Sequence, residues 1–178
     1  AGANVLVVRT HLLKEIHNNV RDISRIPCVL DWNLYHVHNS SYNTPAIFNI
    51  YLVDLLLNHY LKFGIDFIEE ETKRKALLVY TFLDSSRLFR AVIENPRVRS
   101  RVNIPFIVGD GQHQIRSSFL KHCYKDNIAG LRTKTPFDYI KHGTVEPLRV
   151  SLYNGISYDD TVRLLESMKN FEYLQNGS

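Results

Sequence analysis

Apolar residues crowd the stretch from Ile47 to Phe63, where Asn49, Asp54, Asn58, His59 and Lys62 interrupt them. Asp54, Asn58 and Lys62 fall at i, i+4 and i+8, so the spacing predicts a helix that is mostly buried and keeps one polar stripe. Thr44 is its expected N-cap, with Pro45 at the first helical position, where a missing N–H costs nothing. Gly64 closes this helix and Asp66 is placed to cap the next. In that second helix Glu69, Glu70 and Glu71 precede Lys73, Arg74 and Lys75, the order the helix dipole favours. Upstream, Ala3–Val8 reads as a buried strand reached in mid-fold. A polar, helix-prone segment follows from Thr10 to Arg25, and a loop rich in His, Asn and Ser runs from His36 to Ser41.

From Ser85 onward the period shortens to two. Leu88–Ile93 is expected to pair with Arg101–Val108, in which Val102, Ile104, Phe106 and Val108 share one side. Pro105 forecasts a gap in the ladder of that strand, or an edge position. A helix over Gln112–Lys125 turns Ile115, Phe119, His122 and Cys123 inward, and Ile128–Thr133 reads as a short strand. In Leu148–Asn154, Leu148, Val150 and Leu152 face one way and Arg149, Ser151 and Tyr153 the other. Ser157-Tyr158-Asp159-Asp160 resembles a capping box and opens a last helix with Val162, Leu165, Met168 and Phe171 inward. The order β-β-α-β-β-α predicts a two-layer α+β domain with its helices on one sheet face.

Composition narrows the class. With 178 residues, 44% hydrophobic and 22% charged, the chain is one ordinary domain or a domain plus a piece of another. No apolar run reaches the roughly 20 residues of a membrane span. The net charge is +4, with basic residues gathered at Lys73–Lys75 and at Arg97, Arg99 and Arg101. No basic face interleaves with aromatics, so solvated surface is favoured over nucleic-acid contact. Cys28 and Cys123 stand far apart without metal-ligand spacing, which predicts no metal site and buried or incidental thiols in a reducing compartment. The start, Ala1-Gly2-Ala3, has no initiator Met and no signal-peptide pattern. A chain that opens on a core strand is expected to be a fragment.

Two features carry chemistry. The start of a helix presents unpaired N–H groups and partial positive charge, a ready anion site, and Asn43 and Thr44 add side-chain donors there. Arg149 lies on the strand face opposite Leu148 and Val150, and a planar guanidinium can grip a carboxylate with two parallel bonds.

Three motifs in register, Asn39-Ser40-Ser41-Tyr42-Asn43-Thr44-Pro45, Ser100-Arg101-Val102-Asn103-Ile104-Pro105-Phe106 and Leu148-Arg149-Val150-Ser151-Leu152-Tyr153-Asn154, resemble the phosphoserine aminotransferase family. The resemblance covers nearly the whole chain and places it as the C-terminal half. It implies an α/β to α+β architecture: residues 1–70 as the end of a fold type I, pyridoxal-phosphate (PLP) binding large domain, and residues 71–178 as a small C-terminal α+β domain. It further implies a cytoplasmic homodimer acting on phosphoserine and 2-oxoglutarate in serine biosynthesis. Asn43 and Thr44 would then contact the PLP phosphate of the neighbouring subunit, and Arg149 the substrate α-carboxylate. No lysine here stands in the family's Schiff-base lysine motif, so the chain alone is expected to hold no catalytic lysine, to retain no PLP and to be inactive.

One loop departs from the family pattern Gly-His-Arg-Ser-Val-Gly-Gly. His142 falls on the family histidine that helps bind the substrate phosphate, but Gly143 replaces the arginine and Glu146-Pro147 replace the two glycines. The segment from Arg132 to Leu148 is also longer, and Arg132 or Lys134 are candidate stand-ins. Glu146 near a phosphate would repel it unless paired. This departure motivates a second reading, an aminotransferase for a non-phosphorylated substrate. A third is a degenerate relative serving as a dimerisation or scaffold module.

Overall fold

Three strands, β1 (Phe89–Ala91), β2 (Asn103–Val108) and β3 (Leu148–Ser151), form an antiparallel sheet in the order β1-β2-β3. Phe89 pairs with Val108 on one side of β2, and Phe106 with Leu148 on the other. Pro105 therefore sits in the central strand, and of its two forecasts the ladder gap holds while the edge position does not. The Val92 N–H donates to the Pro105 carbonyl at 3.1 Å, but proline has no N–H to return. Strand β1 ends at Ala91, one residue before that missing bond.

This computed structural model describes residues 2–13, 26–110, 113–131 and 147–176. They divide into two units, Ala1–Lys62 and Phe63–Ser178. The second holds the sheet together with helices that begin at α3 (Ile65–Ser85), followed by α4 (His113–Lys125) and α5 (Tyr158–Asn176). The even-numbered positions of β2 and β3 face these helices: Ile104, Phe106, Leu148 and Val150 are all buried in one core cluster. The result is the two-layer α+β arrangement that the alternation forecast.

Phenylalanines knit that core. The Phe119 ring of α4 meets Phe89 of β1 at 4.9 Å, edge on, and Phe171 of α5 at 5.3 Å. Phe82 of α3 meets Phe89 at 5.7 Å. Offset and edge contacts of this kind add about 0.5–1.5 kcal/mol per pair beyond area burial. Helix α5 starts on the expected capping box: the Asp160 N–H donates to Ser157 Oγ at 3.0 Å, and the Ser157 N–H donates to Asp160 Oδ2 at 3.0 Å. Near its other end, Glu172 Oε1 accepts from Ser86 Oγ and the Arg87 and Leu88 N–H groups, at 2.8, 2.8 and 3.0 Å. That one carboxylate fixes the turn from α3 into β1. In α5, Leu164, Leu165, Met168 and Phe171 are buried, while Val162 is half-buried.

Charged groups predicted as solvated surface prove partly structural. Lys75 is buried, and its Nζ donates to the carbonyls of Ile156 at 2.7 Å and Tyr153 at 3.3 Å. Its methylene stem lies in the core while its head ties down the chain leaving β3, and burial lowers its pKa. Arg99 grips Asp84 with two bonds of 2.7 and 2.6 Å, lies 4.5 Å over the Tyr80 ring and donates to the Ile93 carbonyl. The hydrogen bond from Arg99 holds the Asp84 carboxyl below its ordinary value of 3.8. Arg101 pairs with Glu69 at 2.8 Å.

Four local expectations are corrected. Asp66 does not cap α3: Gly64, with φ at 80°, is the N-cap, and its carbonyl accepts from Ile68, so the new helix starts at once. Ile128–Thr133 forms no strand over its described residues. Asn127 takes a φ of 59° and the Ile128 N–H returns to the Cys123 carbonyl at 2.8 Å, so this stretch is still finishing α4. What remains of the forecast is one ladder bond, from the Arg149 N–H to the Leu131 carbonyl at 2.8 Å. Residues 3–8 form no strand either, and Val5 and Val7 are exposed. A strand exists only through neighbours that satisfy its backbone groups, and no described segment pairs with this one.

The fourth concerns the apolar helix. In the first unit, α1 (Trp32–Val37) precedes α2 (Ile47–Phe63). Asp31 caps α1, its Oδ1 accepting from the Leu34 N–H at 3.2 Å, so the helix extends into the expected loop. Residues 10–13 are helical, as forecast for the segment starting at Thr10, whose remainder lies outside the described residues. Helix α2 occupies its predicted span, yet none of its residues is buried; Phe48 is 70% exposed and Leu61 74%. Periodicity reveals which residues seek cover and says nothing of what provides it.

Phe119→Ala is expected to lower stability by about 3–5 kcal/mol, read as a drop in urea midpoint, because it removes the ring joining α4 to both β1 and α5. Asp84→Asn tests the Arg99 clasp by pH. A depressed carboxylate pKa contributes stability that is present above the unfolded value and is lost as pH falls through the folded one. The midpoint difference between wild type and Asp84→Asn is therefore full above the ordinary carboxylate value of 3.8 and shrinks as pH falls below it. A pH-independent difference would exclude the ion pair as its cause.

Candidate functional site

Alternation in β3 sends Leu148 and Val150 into the core and Arg149 and Ser151 to the opposite face. Opposite them in β2 stand Pro105 and Asn103, and Ser151 Oγ donates to Asn103 Oδ1 at 3.1 Å. Arg149 is half-buried. Its Nε is sealed from solvent and meets no hydrogen-bond acceptor among the described residues. A buried donor left without a partner costs about 1–3 kcal/mol, so this position suits an acceptor from outside the described residues, a ligand oxygen or a water among them.

The second group of donors lies in the first unit. After α1 the chain passes through Asn39 and Ser40 with φ of 49° and 65°, and the Ser40 N–H closes onto the Tyr35 carbonyl at 2.8 Å. Tyr42 then packs edge-on against Tyr35 at 6.0 Å and beside His38 at 5.4 Å. Asn43 and Thr44 follow, both exposed.

The start of α2 differs from the forecast. Its first helical bond runs from the Ile50 N–H to the Ala46 carbonyl at 3.0 Å, which makes Ala46 the N-cap, and the Ile47 N–H turns back to the Pro45 carbonyl at 2.9 Å. Pro45 thus precedes the helix instead of opening it, and Thr44 lies two residues before the cap. Relieved of capping, the Thr44 hydroxyl and the Asn43 amide stand open to solvent near first-turn N–H groups that have no intrahelical acceptor. That donor set fits a phosphate dianion.

Asn43 and Thr44 are thus neighbours in one unit, and Arg149 belongs to the other. His142, with Arg132, Lys134, Gly143 and Glu146, lies outside the described residues. Other polar clusters are occupied structurally. Ser167 Oγ donates to Asp126 Oδ2 at 2.6 Å, and His122 Nε2 sits 3.2 Å from the Ser167 carbonyl, which ties α4 to α5. Burial pushes the Cys123 thiol up to about 12, so it is no nucleophile. Among the described residues no group of His, Cys, Asp or Glu is arranged to hold a metal, and no helix is long and apolar enough to cross a membrane.

No family model matches the sequence. Curated relatives do. A probable phosphoserine aminotransferase of Dictyostelium discoideum is 33% identical over 96% of this chain and 42% of its own length. The phosphoserine aminotransferase of Bacillus cereus is 32% identical over 97% of this chain and 43% of its own. Among solved structures, phosphoserine aminotransferase from Bacillus circulans subsp. alkalophilus superposes with a TM-score of 0.72 at 27% identity, covering 85% of this chain and 40% of that one. The PLP-bound enzyme from Trichomonas vaginalis gives 0.69 at 26% identity, covering 82% and 39%.

The fold and these likenesses place the chain in the fold type I class of PLP-dependent transferases. Within that class its likeness is to phosphoserine aminotransferases, and it spans 42–43% of the length of the curated relatives it matches. Those relatives bear an aminotransferase name throughout, which gives no support to the scaffold reading or to a non-phosphorylated substrate.

Proposed function

We propose that this chain is the C-terminal part of a phosphoserine:2-oxoglutarate aminotransferase, which interconverts 3-phosphohydroxypyruvate and phosphoserine. The observation that carries this reading is identity of about one third with enzymes of that name over nearly the entire chain. Residues 1–70 are assigned to the cofactor domain and residues 71–178 to the small domain; the break between compact units falls earlier, at Lys62 and Phe63, so that α3 lies wholly in the second unit. The working form is a cytoplasmic homodimer.

PLP, when bound, supplies the electron sink for transamination. The lysine that holds it comes from sequence this chain does not span, so the chain by itself is inactive. Its own residues bind and orient. Asn43, Thr44 and the start of α2 hold the cofactor phosphate of the neighbouring subunit. Arg149 takes the substrate α-carboxylate in a two-bond fork, which fixes the reacting carbon in the one orientation where proton transfer is productive. His142 contributes to the substrate phosphate.

In the full-length enzyme, Arg149→Ala is expected to raise KM for both amino-acid and 2-oxo-acid substrates and to lower kcat, for a combined loss of about 100-fold or more in kcat/KM. Steady-state kinetics with glutamate and 3-phosphohydroxypyruvate measure it, and unchanged constants would refute the role. Turnover of an unphosphorylated 2-oxo acid with none of 3-phosphohydroxypyruvate would refute the substrate. Thr44→Ala is expected to weaken PLP retention about tenfold, measured as cofactor released on dialysis, with little change in kcat at saturating PLP.

A further inference from the structure

The face of the sheet that carries Arg149 is turned away from the helices, yet part of it is closed to water. Ile107 alternates with the core residues Phe106 and Val108, stands outside the core cluster, and is nevertheless only 5% exposed. Pro147, the buried residue leading into β3, lies two places before Arg149 and by alternation shares its side. Pro105 is directly opposite Arg149. The Arg149 N–H points away from β2, to the Leu131 carbonyl, so Pro105 and Arg149 form a non-hydrogen-bonded pair, the closer kind, with Cα atoms about 4.5 Å apart.

We propose that Pro105, Ile107 and Pro147 form a rigid apolar floor that positions the Arg149 guanidinium for a carboxylate ligand. Each is stiff for its own reason. Proline has a fixed φ and no side-chain rotors to speak of, and a β-branched side chain is restricted at χ1. None offers a side-chain acceptor, so no side chain of the floor competes with the ligand for the guanidinium. Charge attraction also strengthens where neighbouring matter is poorly polarisable. Arginine tolerates such surroundings because it is weakly hydrated. The Arg149 Nε, buried and without an acceptor among the described residues, is consistent with a donor held ready for a ligand. These three are positioning residues and touch no substrate atom.

The inference rests on the reading of Arg149 as the carboxylate-binding group, and the test separates the two. The probe is succinate, a dicarboxylate with no group to transaminate, titrated calorimetrically into the full-length PLP enzyme. Ile107→Thr places a hydroxyl in the floor, and Pro147→Gly removes a ring beside Arg149. Each is expected to weaken succinate binding and raise KM for 2-oxoglutarate about five- to tenfold, with kcat within about twofold of wild type. Ile107→Val, which keeps the apolar shape, returns affinity to within about twofold. Wild-type succinate affinity in Pro147→Gly, with binding abolished in Arg149→Ala, would overturn the floor and leave the Arg149 reading standing. Wild-type affinity in Arg149→Ala would overturn both. Should Ile107→Thr fail to fold, Pro147→Gly decides alone.

Discussion

Edge-to-face packing among Phe89, Phe119 and Phe171, with Phe82 at its margin, is the constraint on which the second unit depends. It joins one strand to three helices, and it fixes which face of the sheet those helices cover. Strand geometry does the rest. Once Phe106, Leu148 and Val150 point into that cluster, Arg149 and its neighbours have no choice but the other face. A register slip of one residue would bury the guanidinium in phenylalanine and expose the core. The position of the arginine is thus a by-product of aromatic packing on the far side of the sheet.

The two units solve the burial problem differently. The second has a filled core, a carboxylate at Glu172 satisfying three donors in one turn, and a lysine whose head is paired with two carbonyls. The first has α2, apolar around most of its circumference and buried nowhere. A helix of that composition is at home when enclosed on several sides, and the first unit does not enclose it. The chain spans about two fifths of its relatives' length, and its two units differ in this way: one has a filled core, the other an apolar helix with no buried residue.

Much of the second unit was legible in the sequence, because its signals are local. Alternation located β2 and β3 and assigned Arg149 its face, and Ser157 with Asp160 announced α5. The failures share a cause: each depended on a partner elsewhere in the chain or beyond it. Lys75 reads as one more surface cation beside Lys73 and Arg74 until the carbonyls of Tyr153 and Ile156, about eighty residues away, are seen to receive it. Ile128–Thr133 has strand composition, but the left-handed turn at Asn127 spends its first residues on closing α4. Pro105 hinted at a ladder gap, and the pairing that puts it beside Arg149 is a property of register alone.

The start of α2 shows how a wrong local reading bears on a functional expectation. Thr44 as cap and as phosphate ligand are competing uses of one hydroxyl, since an oxygen bonded to a first-turn N–H has that donor consumed and its geometry fixed. With Ala46 in the cap position, which brings no side-chain acceptor, the Ile47 N–H turns back to the Pro45 carbonyl and the first-turn N–H groups after it are left for another partner. The helix gives up about 1 kcal/mol of capping stability by that choice. On a helix otherwise apolar along most of its surface, the polar beginning is also where a dianion can approach without stripping water from a hydrophobic wall. A terminus without a side-chain cap, an exposed Asn43–Thr44 pair and a proline just ahead of the helix together leave this end of α2 open to an anion.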